Sequence, residues 1–249
     1  MEKKAIIFLA ATLMFAAFGC GAIRKTARKT AAESELSEQE RRILRERQQQ
    51  AERLRVARET EQKRQKAASK KIASIKLSDN ALSDFLYDLY NKTNTLMEGG
   101  EKIAAVENLE LALALQPQDA ALLIAKGHTL NELGETERAI LSYEASIAAD
   151  SMSFDAYFNL VVVYYNLGVA FNEKQNYART RADYDFYREL SDYEFYKSIA
   201  YFEKAHQLNP AEIATLETLR PLYFRLKHKY PELETKYDEV QTKIETLRR

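Results

Sequence analysis

The sequence predicts an all-α fold: a solenoid of helical hairpins, one of them drawn out, behind a polar helical arm. Three observations carry the prediction. Seven glycines and four prolines in 249 residues leave little material for the turns of a β protein. From residue 80 onward similar residues recur 34 apart, as in Leu89, Leu123 and Tyr157, or Leu96, Leu130 and Tyr164. A fixed period of that size marks stacked helical hairpins, none of which can bury its apolar face alone. The period then breaks once, by a length that itself reads as helix.

The chain opens MEKKAIIFLAATLMFAAFGC: two lysines, an uncharged run over residues 5–18, then small residues. That is the order of a secretory leader. Its last residue, Cys20, is the only cysteine, and one cysteine makes no internal disulfide. The segment Ala17-Phe18-Gly19-Cys20 resembles the lipobox of bacterial lipoproteins. The resemblance implies that residues 1–19 are a signal peptide and that Cys20 becomes an acylated (palmitate-bearing) N-terminus. It further implies an exported chain held to a membrane, with Gly21 pointing to the periplasmic face of the outer membrane. Ordinary signal cleavage is open as well, because Ala17 and Gly19 are small. So is an uncleaved anchor, because residues 5–23 are just long enough to span.

Charge divides the rest. Residues 24–78 hold 17 Lys/Arg and 8 Glu, whereas residues 79–249 hold 18 Lys/Arg and 28 Asp/Glu. Two parts of opposite sign call for separate interpretation. The first, a basic arm or linker over residues 20–78, has no glycine or proline between 31 and 72, so helix is favoured. Its apolar residues Leu36, Ile43, Leu44, Leu54 and Val56 do not sustain a heptad seam. A helix polar on every face is solvated, paired with a partner or partly disordered. A spacer lifting the next domain off the membrane is the reading we favour, with a positive surface for anionic polymer or lipid as the alternative. Nucleic acid is disfavoured, since no aromatic residue interleaves with the charges to stack bases.

Within residues 80–249, Ala105 and Ala139 are 34 apart, as are Leu109 and Tyr143, Ala112 and Ser146, and Pro117 and Ser151. The segments KIAAVENLELALALQPQD and ERAILSYEASIAADS resemble the second helices of tetratricopeptide repeats. That resemblance implies a right-handed solenoid of about four hairpins, with small residues where paired helices meet. Gly127 stands where the family has its first-helix glycine, replaced by Thr93 and Val161 in the flanking repeats. Gly99-Gly100 and Gly134 read as helix stops.

The next second helix, YKSIAYFEKAHQLNP, places Ser198, Phe202, Ala205 and Pro210 at 59 residues beyond Ala139, Tyr143, Ser146 and Ser151. The excess over 34 is an insertion of 25 residues near 169–194, about seven helical turns shared between two lengthened helices. Its apex is expected between residues 177 and 185. Of 26 aromatic residues, 15 lie between Phe154 and Phe202. They either fill the seam of the long hairpin or form a docking surface, and we favour the seam. A fourth unit follows at AEIATLETLRPLYFRLK, with Pro221 inside its first helix, where a bend is expected. A capping helix over 232–248 places Leu233, Tyr237, Val240, Ile244 and Leu247 on one face.

In tetratricopeptide proteins the first helices line a concave groove. By that resemblance the groove here is lined first by Tyr87, Tyr90, Asn91 and Asn94. Ile124, His128, Asn131 and Glu132 come next, then Phe158, Asn159, Val162, Tyr165 and Asn166. Amides pair with a ligand backbone while rings take its side chains. Tyr90 and Ile124 stand where a carboxylate clamp would have lysine. Histidines at 128, 206 and 228 form no two-ligand motif, and the glycines form no phosphate loop. No catalytic residue, cofactor or metal is therefore expected. The expectation is a membrane-anchored scaffold for envelope proteins of unknown identity, such as an assembly or adaptor factor of an outer-membrane or secretion complex. The alternative is a tether that self-associates through the arm or the repeats and has no peptide ligand.

Overall fold

A computed structural model of the chain describes residues 36–75, 79–210 and 213–248. The leader and Cys20 lie outside the described residues. Nine helices run through them: α1 Glu38–Ser74, α2 Asp79–Glu98, α3 Lys102–Leu115, α4 Ala120–Glu132, α5 Thr136–Ala149, α6 Phe154–Asn176, α7 Arg181–Leu208, α8 Ile213–Leu226 and α9 Glu232–Leu247. The chain divides into two compact units, residues 1–44 and 45–249. In the first, a capping box starts α1. The Glu40 amide donates to Ser37 Oγ at 3.2 Å, and the Ser37 amide donates to Glu40 Oε2 at 2.8 Å.

In the second unit α2–α9 form four antiparallel pairs, each packed on the next. Side-chain caps begin α4, α6 and α7: Asp119 accepts from the Leu122 amide, Ser153 from Ala156 and Thr180 from Asp183. Glycine ends two of them. Gly100 and Gly134 have φ of 74° and 76°, the left-handed region. The following amides, of Glu101 and Glu135, donate back to Leu96 and Leu130 at 2.8 and 2.9 Å. That bond satisfies carbonyls the helix leaves open.

Small residues set how closely the paired helices approach. Ala105, Ala112 and Ala139 are wholly buried. A Cβ built on Gly127 would lie 2.6 Å from the Tyr143 ring, so this glycine is required by contact with a large residue. Repeat 1 meets the same demand differently. Thr93 donates to the Leu89 carbonyl, and Asn108 Nδ2 donates to Thr93 Oγ1 at 2.8 Å, all of it buried.

The insertion lies where the broken period places it. Helix α6 has 23 residues against 13 for α4, and α7 has 28 against 14 for α5. The apex is 177–180. Gly168 repeats the Gly127 device two turns outward, its would-be Cβ 2.6 Å from the Phe195 ring. Phe186, Phe195, Phe202 and Tyr164 are buried and so fill the seam, whereas Tyr177 at the apex is 85% exposed. By length and composition α6 could cross a membrane. Its Leu160, Val161, Val163 and Tyr164 are instead buried in the helical core.

The core is a chain of three clusters, one for each junction between neighbouring hairpins. Leu89, Leu109, Leu113 and Leu122 join repeats 1 and 2, and Leu130, Ile140, Tyr143 and Leu160 join 2 and 3. Phe195, Phe202, Leu216, Leu219, Tyr223 and Ile244 join 3 and 4. Each hairpin is therefore held by its neighbours, as a solenoid requires. Pro221 stays inside α8 on an exposed face. In the cap, Leu233, Val240 and Ile244 are buried but Leu247 is 46% exposed.

The arm differs from expectation. From Arg47 on, α1 is neither a free spacer nor without a seam. Arg47, Gln50, Leu54, Ala57, Glu61, Arg64 and Ala68 recur at alternating steps of three and four, a heptad stripe. Ala57 and Ala68 are buried, and Leu54 packs on the second cluster. The stripe escapes an apolar count because most of its members are charged, amide or alanine.

Candidate functional site

The 34-residue register aligns the first helices in rows. Tyr90, Ile124 and Phe158 form one row, Asn94, His128 and Val162 another, and Asn131 aligns with Tyr165. Extending the third repeat by the 59-residue offset carries the rows onto α8, adding Pro221 and Phe224. Phe224 was missed by the sequence reading although that offset reaches it from Tyr165. It is 55% exposed, 5.6 Å from the Tyr237 ring, with Lys227 Nζ 5.3 Å above it.

The expected lining residues divide by role. Tyr87 is 67% exposed, and Asn91, Asn94, His128 and Asn166 are exposed too. Phe158 stacks on Phe154 at 5.6 Å and still shows a face to solvent. Asn131 is half-buried. The remainder form a floor. Ile124 packs on the second cluster, Val162 is half-buried, and Tyr165 lies 5.3 Å from Phe195. Tyr90 donates to Asp119 Oδ2 at 3.1 Å, tying α2 to the cap of α4; burial, with the Asp119 charge, raises its hydroxyl pKa. Asn159 Nδ2 donates to the Asp155 carbonyl. Glu132 sits 3.9 Å from His128 and 3.1 Å from Lys102. The surface thus offers aromatic faces and free-standing amides over an apolar base, a composition suited to an extended chain or an apolar helix.

The second helices α3, α5 and α7, with Lys126 of the first helix α4, present a different surface, faced by α1. Glu61 reaches both Lys126 and Arg138, and Arg138 also meets Glu110 at 3.0 Å and Glu135. Arg64 reaches Glu110 at 3.5 Å and Arg53 reaches Glu137 at 2.9 Å. Further along, Gln50 donates to Glu194 at 2.9 Å, and Arg47 lies 4.1 Å over the Tyr193 ring. Beneath them Lys197 sits 4.1 Å over Tyr164, which stacks on Tyr201 at 5.5 Å. Burial lowers the Lys197 pKa against the opposing pull of Glu194 and Glu144. Among the described residues no three His, Cys, Asp or Glu side chains gather as metal ligands would.

These paired helices, small–large contacts and serial cores define a tetratricopeptide-type solenoid, and the family model described as "TPR repeat" matches residues 127–168. Among solved structures, one titled "Crystal structure of MamA" is similar at 19% identity and TM-score 0.44, over 72% of this chain and 85% of that one. MamA 41-end from Desulfovibrio magneticus RS-1 is similar at 21% identity and TM-score 0.34, over 67% and 96%. No curated protein matches the sequence.

Proposed function

We propose that the chain is an exported, membrane-anchored scaffold that recruits envelope proteins through the face of its first helices. The observation carrying this is the row of side chains that the fold leaves unspent: Tyr87, Asn91, Asn94, Phe158, Asn166 and Phe224. A solenoid needs its floor residues to stand, but it does not need these, and exposed rings beside amides favour binding. The lipobox-like segment ending at Cys20 supports the anchor.

Asn94→Ala, Phe158→Ala and Asn166→Ala, combined in the full chain, separate binding from folding because none of the three is in the core. Pull-down from crosslinked envelopes is expected to recover distinct partners with the natural chain and to lose them with the triple variant, at unchanged helicity. Unchanged recovery overturns the groove, and recovery of the chain alone favours a self-associating tether. The anchor has its own check. Radiolabelled palmitate is expected to enter the natural chain but not Cys20→Ser, which should move to the soluble fraction. A Cys20→Ser chain that stays with membranes would favour the uncleaved span.

A further inference from the structure

Packing on the repeats spends one side of α1 and leaves the other to solvent. In the middle of the helix Arg55 is held between Glu52 and Glu59 at 2.5 and 2.6 Å, and Arg53 meets Glu137. Beyond Glu61 the balance changes. Residues 62–75 contain Lys63, Arg64, Lys66, Lys70 and Lys71 and no acidic residue. Arg64 turns inward to Glu110. The four lysines are exposed, and among the described residues none of them makes an ion pair. At about 100° per residue, Lys63, Lys66 and Lys70 fall within about 60° of arc, half a turn round from Glu61, Arg64 and Ala68. They make a straight row about 10 Å long. Its helix is fixed from behind by Glu61 on Lys126 and Arg138 and by the buried Ala57 and Ala68. A rigid, straight row of ammonium groups suits a flat anionic surface. The repeats themselves, with 18 Lys/Arg against 28 Asp/Glu over residues 79–249, are repelled by one. The chain is also long enough. Eighteen residues separate Glu38 from Cys20 and can extend about 60 Å, more than the roughly 48 Å of helix from Glu38 to Lys70. An anchor at Cys20 therefore lets the row reach the bilayer that holds it.

We infer that Lys63, Lys66 and Lys70 are a docking face for an anionic phospholipid bilayer. Docking there sets the second helices toward the membrane and turns the first-helix groove toward water, where a partner can enter it. The proximity rests on the anchor proposed above; the attraction does not, and neither depends on what the groove binds.

The test uses the natural full chain added to vesicles of phosphatidylcholine, alone or with about 30% phosphatidylglycerol. An amine-reactive reagent labels the lysines, and mass spectrometry reads the rate at each one. Lys63, Lys66 and Lys70 are expected to label about fivefold or more slowly on the anionic vesicles than on the zwitterionic ones. The exposed Lys92 of α2 and Lys174 of α6 should label alike on both. Raising salt from about 50 to about 500 mM should remove the protection. Flotation with the zwitterionic vesicles reports the anchor separately. A chain that fails to float there loses the anchor, yet the row must still bring it to the anionic vesicles. Equal labelling of the row on both vesicle types would overturn the inference, and so would protection that extends equally to Lys92 and Lys174. Protection by soluble dextran sulfate but not by anionic vesicles would overturn it as well, in favour of an anionic polymer.

Discussion

Glu61→Gln is expected to lower stability by about 1–3 kcal/mol at neutral pH and to loosen α1 from the repeats. Glu61 is the carboxylate that both Lys126 and Arg138 reach from the repeats, and those cations are only 9% and 8% exposed. Breaking a buried pair by removing one partner costs about 3–5 kcal/mol when the other charge is stranded. Here Glu110 stays within 3.0 Å of Arg138 and 3.7 Å of Lys126, which is the reason for the smaller figure. Burial by itself would raise the Glu61 pKa, but Lys126 and then Arg138 overcome it and hold the carboxyl below its ordinary value of 4.5. Since the folded value is the depressed one, the contribution is complete above about 4.5 and fades as pH falls through the folded value. Urea unfolding of both chains at pH 7 and in the acid window checks this. The gap between them should be widest at pH 7 and close in acid; a gap independent of pH would refute the ion-pair account.

Gly127→Val is expected to cost about 2–3 kcal/mol, a fall in Tm of roughly 5–10 °C for a domain of this size. Three atoms of the Tyr143 ring would lie within 2.9 Å of the new Cβ. Tyr143 is 1% exposed and has nowhere to retreat, so α4 and α5 must separate. The gain in helix propensity over glycine, at most about 1 kcal/mol, offsets part of the loss. Thermal unfolding in a double-mutant cycle with Tyr143→Ala is the measurement, because the cost of valine should largely vanish once the ring is gone. If valine costs as much beside alanine as beside tyrosine, the contact is not what the glycine serves.

Much of the solenoid was legible because its determinants are local or periodic. The glycine stops at 100 and 134 each act within a few residues. The recurrence of Ala105 at Ala139 and of Leu109 at Tyr143 records the same contact made twice. The offset of 59 located the insertion, and could have reached Phe224 had it been carried one helix further. The groove was only half legible. Register identified the face of each first helix, but whether a residue on it stands free depends on what its neighbours bring. Tyr165 is drawn down by Phe195, and Tyr90 is tied by Asp119 from another repeat.

By itself the sequence determined that the chain is helical, where hairpins turn, and which one is lengthened, since caps, breakers and spacing act over one or a few turns. Only the tertiary structure decided the place of α1. A stripe of arginine, glutamine, alanine and glutamate with a single leucine, Leu54, has no apolar period to detect. Its complement is scattered over Glu110, Lys126, Glu137, Arg138, Tyr193 and Glu194, and these face α1 as one surface only once three hairpins have stacked.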